Sequence, residues 1–301
     1  MAVFPNPHHG PIARVDDSTQ EGLRVHQHAA CGVGVLAHLD GHASHELIED
    51  GFECLENLDH RGARGAEENT GDGAGMLLQK PHAFLSTLVP GLGDPDDYGV
   101  AQVFMPRDGD HRAAIRTLIA RRCQAEGFDL IGWRQVPTQN EGLGQTALNS
   151  EPQTWQCFVR PKQALEPKAM DVRLYVLRRA IENEVLYRNL VGAGQQTFYI
   201  CSLSRTTVVY KGLLTCGQFR CYFPDLSDTR VTSSLVLVHA LRMLIPEAWE
   251  KHPGLAADRR DSYEYHSTVP SYLPKTIQKY LNRFSADFLL HRGRFHSDLA
   301  T

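Results

Sequence analysis

Residues 31–41 read Cys-Gly-Val-Gly-Val-Leu-Ala-His-Leu-Asp-Gly, and periodic structure in the chain begins there. Apolar side chains at 33, 35, 37 and 39 recur with the two-residue period of a strand, and Asp-Gly is a common turn. The pattern predicts a largely buried first strand that ends at Asp40-Gly41. Ser44 is then placed to cap a helix with an acidic first turn, and Gly62 is the predicted end of that helix.

The rest of the chain changes repeatedly between strand and helix patterns. Strands are predicted at residues 73–79, 100–105, 130–136, 155–159, 198–203 and 206–214. Helices are predicted from an Asp110 cap to Gly127 and from Asp171 to about Arg188. Because strand patterns adjoin one another and helices lie between groups of strands, the sequence predicts a layered α+β fold rather than a strictly alternating α/β fold.

Composition and charge exclude several classes of protein. The chain has 301 residues, with 31 basic and 35 acidic side chains and a formal charge of −4, so it offers no basic field for nucleic acid. It has no run of about 18 apolar residues that predicts a membrane span. Its seven cysteines include no Cys-x-x-Cys pair, so neither a disulfide framework nor a metal site is predicted. The composition predicts a soluble, cytoplasmic, globular protein.

Cys31 is the candidate nucleophile. Residues 1–30 carry little periodic pattern and are predicted to be a removable leader. If the leader is cut, the α-amine of Cys31 has an ordinary pKa of about 7.7–8.0 and can accept the thiol proton near neutral pH. The alternative is a cysteine at the edge of a strand. The other six cysteines lie in apolar segments or at strand ends, where free cysteine is usually a small buried hydrophobe.

Two further features have a structural and a functional interpretation. Residues 69–75 read Asn-Thr-Gly-Asp-Gly-Ala-Gly, but they precede a strand instead of opening a helix, so a dinucleotide loop is not predicted. A tight turn that lets the backbone approach the first strand is preferred. Arg61, at the end of the first predicted helix, either interacts with the helix dipole or places a cation near the strand opened by Cys31.

Several ordered motifs resemble one family. Residues 31–34, 58–63 and 69–75 resemble the opening of the large subunit of glutamate synthase, which is a class II glutamine amidotransferase domain and an N-terminal-nucleophile hydrolase. Further motifs match in the same order over roughly residues 27–239, and several ordered motifs are far more specific than one. They are Gly132–Pro137, Ser204–Gly212 and Tyr222–Leu226.

The resemblance implies a four-layer αββα sandwich and a reaction. Cys31 would attack the side-chain amide of L-glutamine, ammonia would leave from a glutamyl thioester, and water would release glutamate. Arg61 would help to orient the nucleophile. No cofactor is expected in this chain, because the family's FMN and iron–sulfur cluster belong to a C-terminal part that is absent here. Other glutamate synthase domains or subunits are the expected partners.

The sequence departs from the family after His239. The family continues with a Ser-Arg-Phe-Ser-Thr-Asn block and a His-Asn-Gly-Glu-Ile-Asn block, which hold the arginine for the substrate carboxylate and the oxyanion-hole Asn-Gly pair. Here Ala240 begins a segment that resembles a later part of the domain and extends to Ser267. The sequence therefore predicts an incomplete domain over residues 31–267, with an excision near 239/240.

The excision leaves two alternatives to an active enzyme open. The chain could be a catalytically inactive remnant, or it could be an interaction module of a glutamate synthase. A gene-model artefact, a pseudogene product and a divergent short paralogue would each explain the excision equally well. Residues 268–301 have no family match, and their apolar residues at helical spacing predict an amphipathic helix that packs on the domain.

Overall fold

The computed structural model describes residues 30–59, 67, 69–190 and 198–242, with the backbone alone at positions 30, 31, 241 and 242. Residues 1–29, which belong to the predicted leader 1–30, lie outside the described residues, as do Arg61 and the segment from 243 to 301. The strands are β1 (Ala30–Ala37), β2 (Ala74–Gln79), β3 (Gly99–Met105), β4 (Phe128–Gln135), β5 (Gln153–Pro161), β6 (Tyr199–Ser204), β7 (Thr207–Gly212) and β8 (Leu235–Arg242). The helices are α1 (Glu46–Asn57), α2 (His82–Leu88), α3 (Gly109–Ala125), α4 (Gln145–Ser150), α5 (Pro167–Tyr187) and α6 (Cys216–Tyr222).

The first sheet has the strand order β1-β8-β2-β7, and its neighbouring strands are antiparallel. Although β8 comes last among the described strands, it lies between β1 and β2. It pairs with β1 over eight consecutive positions, from Ala30↔Arg242 to Ala37↔Leu235, without a break in register. The predicted excision point at 239/240 therefore falls inside one continuous strand.

One core lies between the first sheet and the helices that cover it. The inward residues of α1, including Ile48 and Phe52, pack with Met76 and Val238 of the sheet. Gly34 of β1 shows how closely this helix approaches, because a Cβ built there would lie 2.4 Å from the Cys54 Sγ of α1. Alanine at position 34 would therefore require either the Cys54 side chain or α1 itself to shift.

The second sheet has the order β4-β5-β3-β6 and is also antiparallel. One of its faces, with Ala101 and Val103 of β3, packs against the apolar stripes of α3 and α5. The tight β6–β7 connection joins the two sheets, and the backbone N–H of Val209 donates to the Ser202 hydroxyl at 3.2 Å. Two antiparallel sheets with separate helical layers confirm the predicted α+β class.

A buried ion pair connects the second sheet to the turn after α6. The Arg134 guanidinium of β4 donates to both carboxylate oxygens of Asp225, at 2.7 and 2.5 Å. The Asp225 side chain is 3% exposed. Tyr210 of β7 donates its hydroxyl to the same carboxylate at 3.2 Å, and Gln156 of β5 donates to the Tyr210 hydroxyl at 3.3 Å. Burial raises the pKa of Tyr210, so its hydroxyl stays protonated.

This network gives three of the family-like motifs a structural role. Arg134 lies in the motif at 132–137, Tyr210 in the motif at 204–212 and Asp225 in the motif at 222–226. These motifs are far apart in sequence, yet they meet in one set of hydrogen bonds in the core. Their residues hold β4, β7 and the 3-10 turn Pro224–Ser227 together.

Several predicted boundaries require correction. The N-cap of α1 is His45 instead of Ser44, although the Ser44 hydroxyl accepts a hydrogen bond from the Leu47 N–H at 3.2 Å. The helix ends at Asn57, five positions before Gly62. The cap of α3 is Asp108 instead of Asp110, because the Asp108 carboxylate accepts from the backbone N–H at position 111 at 2.8 Å. Helix α5 begins at Pro167, four residues before the predicted start, since proline suits the first turn of a helix.

The first strand is also more exposed than predicted. Val33 is 40% exposed, and within the described residues β1 pairs only with β8, so it lies at an edge of the sheet. Strand β8 and helices α2, α4 and α6 were not predicted as elements from the sequence. No helix in the described part of the chain is long and apolar enough to cross a membrane.

Candidate active site

The backbone of Cys31 lies at the second position of β1, opposite Leu241 of β8. The sequence predicted that Cys31 opens the strand, and the structure begins the strand one residue earlier. Arg61, the other predicted catalytic residue, lies outside the described residues, so the structure does not test its proximity to Cys31. The register places Gly32 of β1 and Ala74 of β2 level with each other, on either side of Ala240 of β8, so the loop that precedes β2 lies toward the same end of the sheet as position 31.

The glycine-rich loop before β2 is held in place by a close backbone approach. A Cβ built on Gly71 would lie 2.2–2.3 Å from backbone atoms of Leu214 and Thr215, so no side chain fits at this position. Gly73 has a φ of +146°, which L residues rarely adopt. The predicted close approach is therefore real, but its partner is the 214–215 segment and not the first strand. Strand β8 separates β2 from β1.

Hydrogen bonds from another loop and from helix α6 fix the same glycine-rich loop. The Asn69 carbonyl accepts from the backbone N–H of Gly144 and from the Gln218 side-chain amide, each at 2.9 Å. Gln218 also donates to the Gly142 carbonyl at 3.0 Å. It forms a reciprocal capping box with Thr215 at the start of α6. Gln218 was not predicted as a site residue, although Thr-x-x-Gln at 215–218 is a recognisable capping pattern.

His239 and Lys211 form a buried basic pair beside the Cys31 strand. His239 of β8 lies opposite Val33 on one side and Gly75 of β2 on the other, and Lys211 of β7 lies opposite Gly75. Lys211 donates its Nζ to the Tyr199 hydroxyl at 3.1 Å. The sequence did not identify this pair, because its members come near each other only through the order of the strands, with Gly75 of β2 between them.

The electrostatics of this pair limit what His239 can do. Burial, assisted by the positive charge of Lys211, lowers the pKa of His239 to about 4. The imidazole is therefore neutral at physiological pH and too weakly basic to take a thiol proton efficiently, because a general base works best when its pKa lies near the operating pH.

The depressed pKa also predicts how stability depends on pH. An unfolded histidine has a pKa of about 6.5, so the unfolded state binds the proton more tightly than the folded state does. The contribution of His239 to the free energy of unfolding is therefore retained above about pH 6.5. It is lost as the pH falls from there toward the pKa of His239 in the folded state. Between about pH 7.5 and about pH 5 we expect His239 to account for a loss of about 2 kcal/mol in the free energy of unfolding.

Urea denaturation of the full chain across this range measures the effect. A His239→Gln variant, which cannot titrate, should lose stability less steeply with falling pH than the parent, whatever its stability at neutral pH. Equal slopes for the two proteins would contradict a buried, neutral His239.

The remaining thiols differ sharply in reactivity. Burial raises the pKa of Cys123 and Cys216 to about 12, and it raises the pKa of Cys157 as well. These cysteines are protonated and inert at neutral pH. Cys221 is exposed, which contradicts the prediction that it is buried. In the part of the chain that the structure describes, no cluster of three His, Cys, Asp or Glu side chains can hold a metal ion.

Comparison with known proteins gives a consistent family. The family model for class II glutamine amidotransferases matches residues 31–241 and, in a second segment, residues 237–271. The glutamate synthase (NADPH) large chain of Bacillus subtilis is 37% identical over 217 residues, which are 71% of this chain and 14% of that one. The large chain of Azospirillum brasilense is 36% identical, with the same shares covered.

A ferredoxin-dependent relative extends the comparison. The ferredoxin-dependent glutamate synthase of Cyanidium caldarium is 35% identical over 214 residues, which are 70% of this chain and 14% of that protein. The similarity thus spans only about one seventh of the length of these relatives. The match to the family model, by contrast, has a defined start at position 31, which is the candidate nucleophile.

Proposed function

The chain belongs to the class II glutamine amidotransferases, and we infer that it carries the glutamine-hydrolysing site of a glutamate synthase, with Cys31 as nucleophile. The observation that carries this proposal is the start of the family match at Cys31. The place of that residue near the beginning of β1 is compatible with it, because cleavage before position 31 would leave a strand with a terminal thiol and α-amine.

The proposed reaction uses the thiol and α-amine of Cys31. The α-amine takes the thiol proton, and the sulfur forms a bond to the side-chain amide carbon of L-glutamine. The carbon–nitrogen bond then breaks, the proton passes to the leaving nitrogen, and ammonia is released from a glutamyl thioester. Water adds to the thioester, the carbon–sulfur bond breaks, and glutamate and the free thiol are formed. Arg61 is proposed to orient Cys31.

The proposed context follows from the same family. The two sheets are proposed to form the inner layers of an αββα sandwich, supported by the helices that cover one face of each sheet. We propose a cytoplasmic domain that binds no flavin and no iron–sulfur cluster. Residues 1–30 are proposed to be a leader that cleavage removes. Other glutamate synthase domains are proposed as the acceptors of the ammonia.

A catalytically inactive remnant is the second candidate, and the divided family match favours it. The two matched segments overlap at residues 237–241, as expected if the intervening part of the domain is missing near 239/240. Strand β8 continues through this point and places Leu241 opposite Cys31. The family's arginine-containing and oxyanion-hole blocks would have followed His239, so their loss would affect the surroundings of Cys31 first.

Covalent labelling tests the assignment of the nucleophile. A glutamine-like electrophile should modify Cys31 in a chain that begins at residue 31, because only that form has the α-amine beside the thiol. The full-length chain should react much more slowly at this residue. Intact-mass and peptide mass spectrometry measure the extent and the position of labelling.

Two cysteine variants provide matched controls. Cys31→Ser should abolish labelling at the site, whereas Cys221→Ser should leave it unchanged, because Cys221 is an exposed thiol with no proposed role. Modification of Cys221 alone, or equal reactivity of Cys31 in the full-length and shortened chains, would count against the N-terminal-nucleophile assignment.

A further inference from the structure

Helix α5 has a second apolar face that points away from the core. Its inward residues pack on the second sheet, but Val172 is 60% exposed and Tyr187 is 91% exposed. At about 100° per residue the outward apolar residues lie on one side of the helix, in a group near its start and a group at its end, with Arg179 and Asn183 on the same side between them. They extend over about 22 Å of helix. They are Val172, Tyr175, Val176, Leu186 and Tyr187.

An excess of positive charge lies at the C-terminal end of this face. The Glu184 carboxylate, whose side chain is 6% exposed, is paired with three arginines. Arg121 and Arg122 come from α3, and Arg188 lies just beyond α5 with its Nε 2.6 Å from Glu184. One carboxylate cannot neutralise three guanidinium groups. Arg121 and Arg188 are about half exposed, so they have hydrogen-bond donors left for a second anion.

Two shallow cavities lie beside this arginine cluster. One has a volume of about 460 Å³ and is lined in part by Arg122 and Tyr187. The other has a volume of about 280 Å³ and is lined in part by Arg121, Arg188 and Leu190. Both combine apolar walls with guanidinium groups. Tyrosine and arginine beside aliphatic residues are typical of the energetically dominant parts of protein interfaces.

We propose that this surface binds an acidic amphipathic helix of a partner protein. The apolar side of the partner helix packs along Val172, Val176 and Tyr187, and its carboxylates pair with Arg121 and Arg188. Charge complementarity selects the partner, since a basic segment would meet uncompensated arginines. The exposed side of α5 is long enough for a partner helix of about 15 residues to lie along it. The proposal does not depend on glutamine hydrolysis.

Binding of a synthetic peptide to the full chain tests the proposal. The probe is a fluorescent helical peptide of about 15 residues, matched to the length of the face, with leucines on one side and glutamates beside them. We expect saturable binding that weakens with salt. An Arg121→Glu/Arg188→Glu variant should bind at least about tenfold more weakly, as should Tyr187→Ala. Arg230→Glu, which changes an exposed arginine elsewhere, should bind like the parent.

Changes in the peptide avoid any effect on folding of the protein. A version with glutamine in place of glutamate should bind the unmodified chain at least about tenfold more weakly. Equal binding of the two peptides would overturn the proposal. Displacement of the acidic peptide by millimolar inorganic phosphate or citrate would indicate a small-anion site instead. Self-association in sedimentation velocity that Tyr187→Glu abolishes would show that a second copy covers this face, which would also overturn the proposal.

Discussion

Replacing Asp225 with alanine is expected to lower the free energy of unfolding by about 3–5 kcal/mol, because removal of one partner leaves a buried charge uncompensated. The charge left behind is the Arg134 guanidinium, whose side chain is only 12% exposed. Tyr210 would lose its acceptor at the same time. Urea denaturation at neutral pH, monitored by circular dichroism, measures the change.

Two comparisons separate this effect from a general sensitivity of the fold. Asp96→Ala removes an exposed carboxylate that also pairs with an arginine, Arg205, and should cost no more than about 1 kcal/mol. The double variant Arg134→Leu/Asp225→Leu removes both buried charges and should be more stable than Asp225→Ala. Equal free energies of unfolding for the Asp225→Ala and Asp96→Ala variants would show that the buried ion pair of Asp225 does not stabilise the core.

The chain that begins at Cys31 is expected to hydrolyse glutamine at least about 100-fold more slowly than an ordinary enzyme, which turns over about 1–10³ times per second. The thiol and α-amine would be present, but loss of one oxyanion-hole donor typically reduces turnover by about 10²–10³. Loss of the partner for the substrate carboxylate should weaken glutamine binding as well. Glutamate release over time measures the rate.

The matched control for turnover is Cys31→Ala in the same shortened chain. A slow rate that this substitution removes would agree with a reactive but incomplete site. An ordinary enzymatic rate in the shortened chain, with none in the Cys31→Ala control, would show that the remnant hypothesis is wrong. Other residues of the chain would then have to stabilise the tetrahedral intermediate.

The sequence predicted elements well where a repeating pattern extends over several turns or a whole strand. Helix α3 and most strands were found this way, and Gly127, with a φ of +76°, terminates the helix as predicted. Helices α2, α4 and α6 have only six or seven residues, too few for a clear helical period. Strand β8 is buried from residue 236 to residue 240, and its sequence shows no alternation of polar and apolar residues.

The candidate site was only partly accessible to sequence reasoning. Cys31 was identified from its chemistry and from the motifs around it. His239 and Lys211 come near each other because their strands both pair with β2, where Gly75 lies opposite each of them. Likewise, nothing local to Gln218 reveals that its side chain reaches the carbonyls of Asn69 and Gly142. Strand order and register arise from packing of the whole domain, which local periodicity does not encode.

The central place of β8 determines when the first sheet can assemble during synthesis. Cys31 and its cross-strand neighbour Leu241 are separated by about 210 residues, and contacts between such distant residues slow folding because a long loop must close first. As the chain leaves the ribosome, β1 and β2 have no strand between them until residues 235–242 emerge. The helices and hairpin contacts of the second sheet are complete earlier. The strand that contains the candidate nucleophile therefore joins its sheet last.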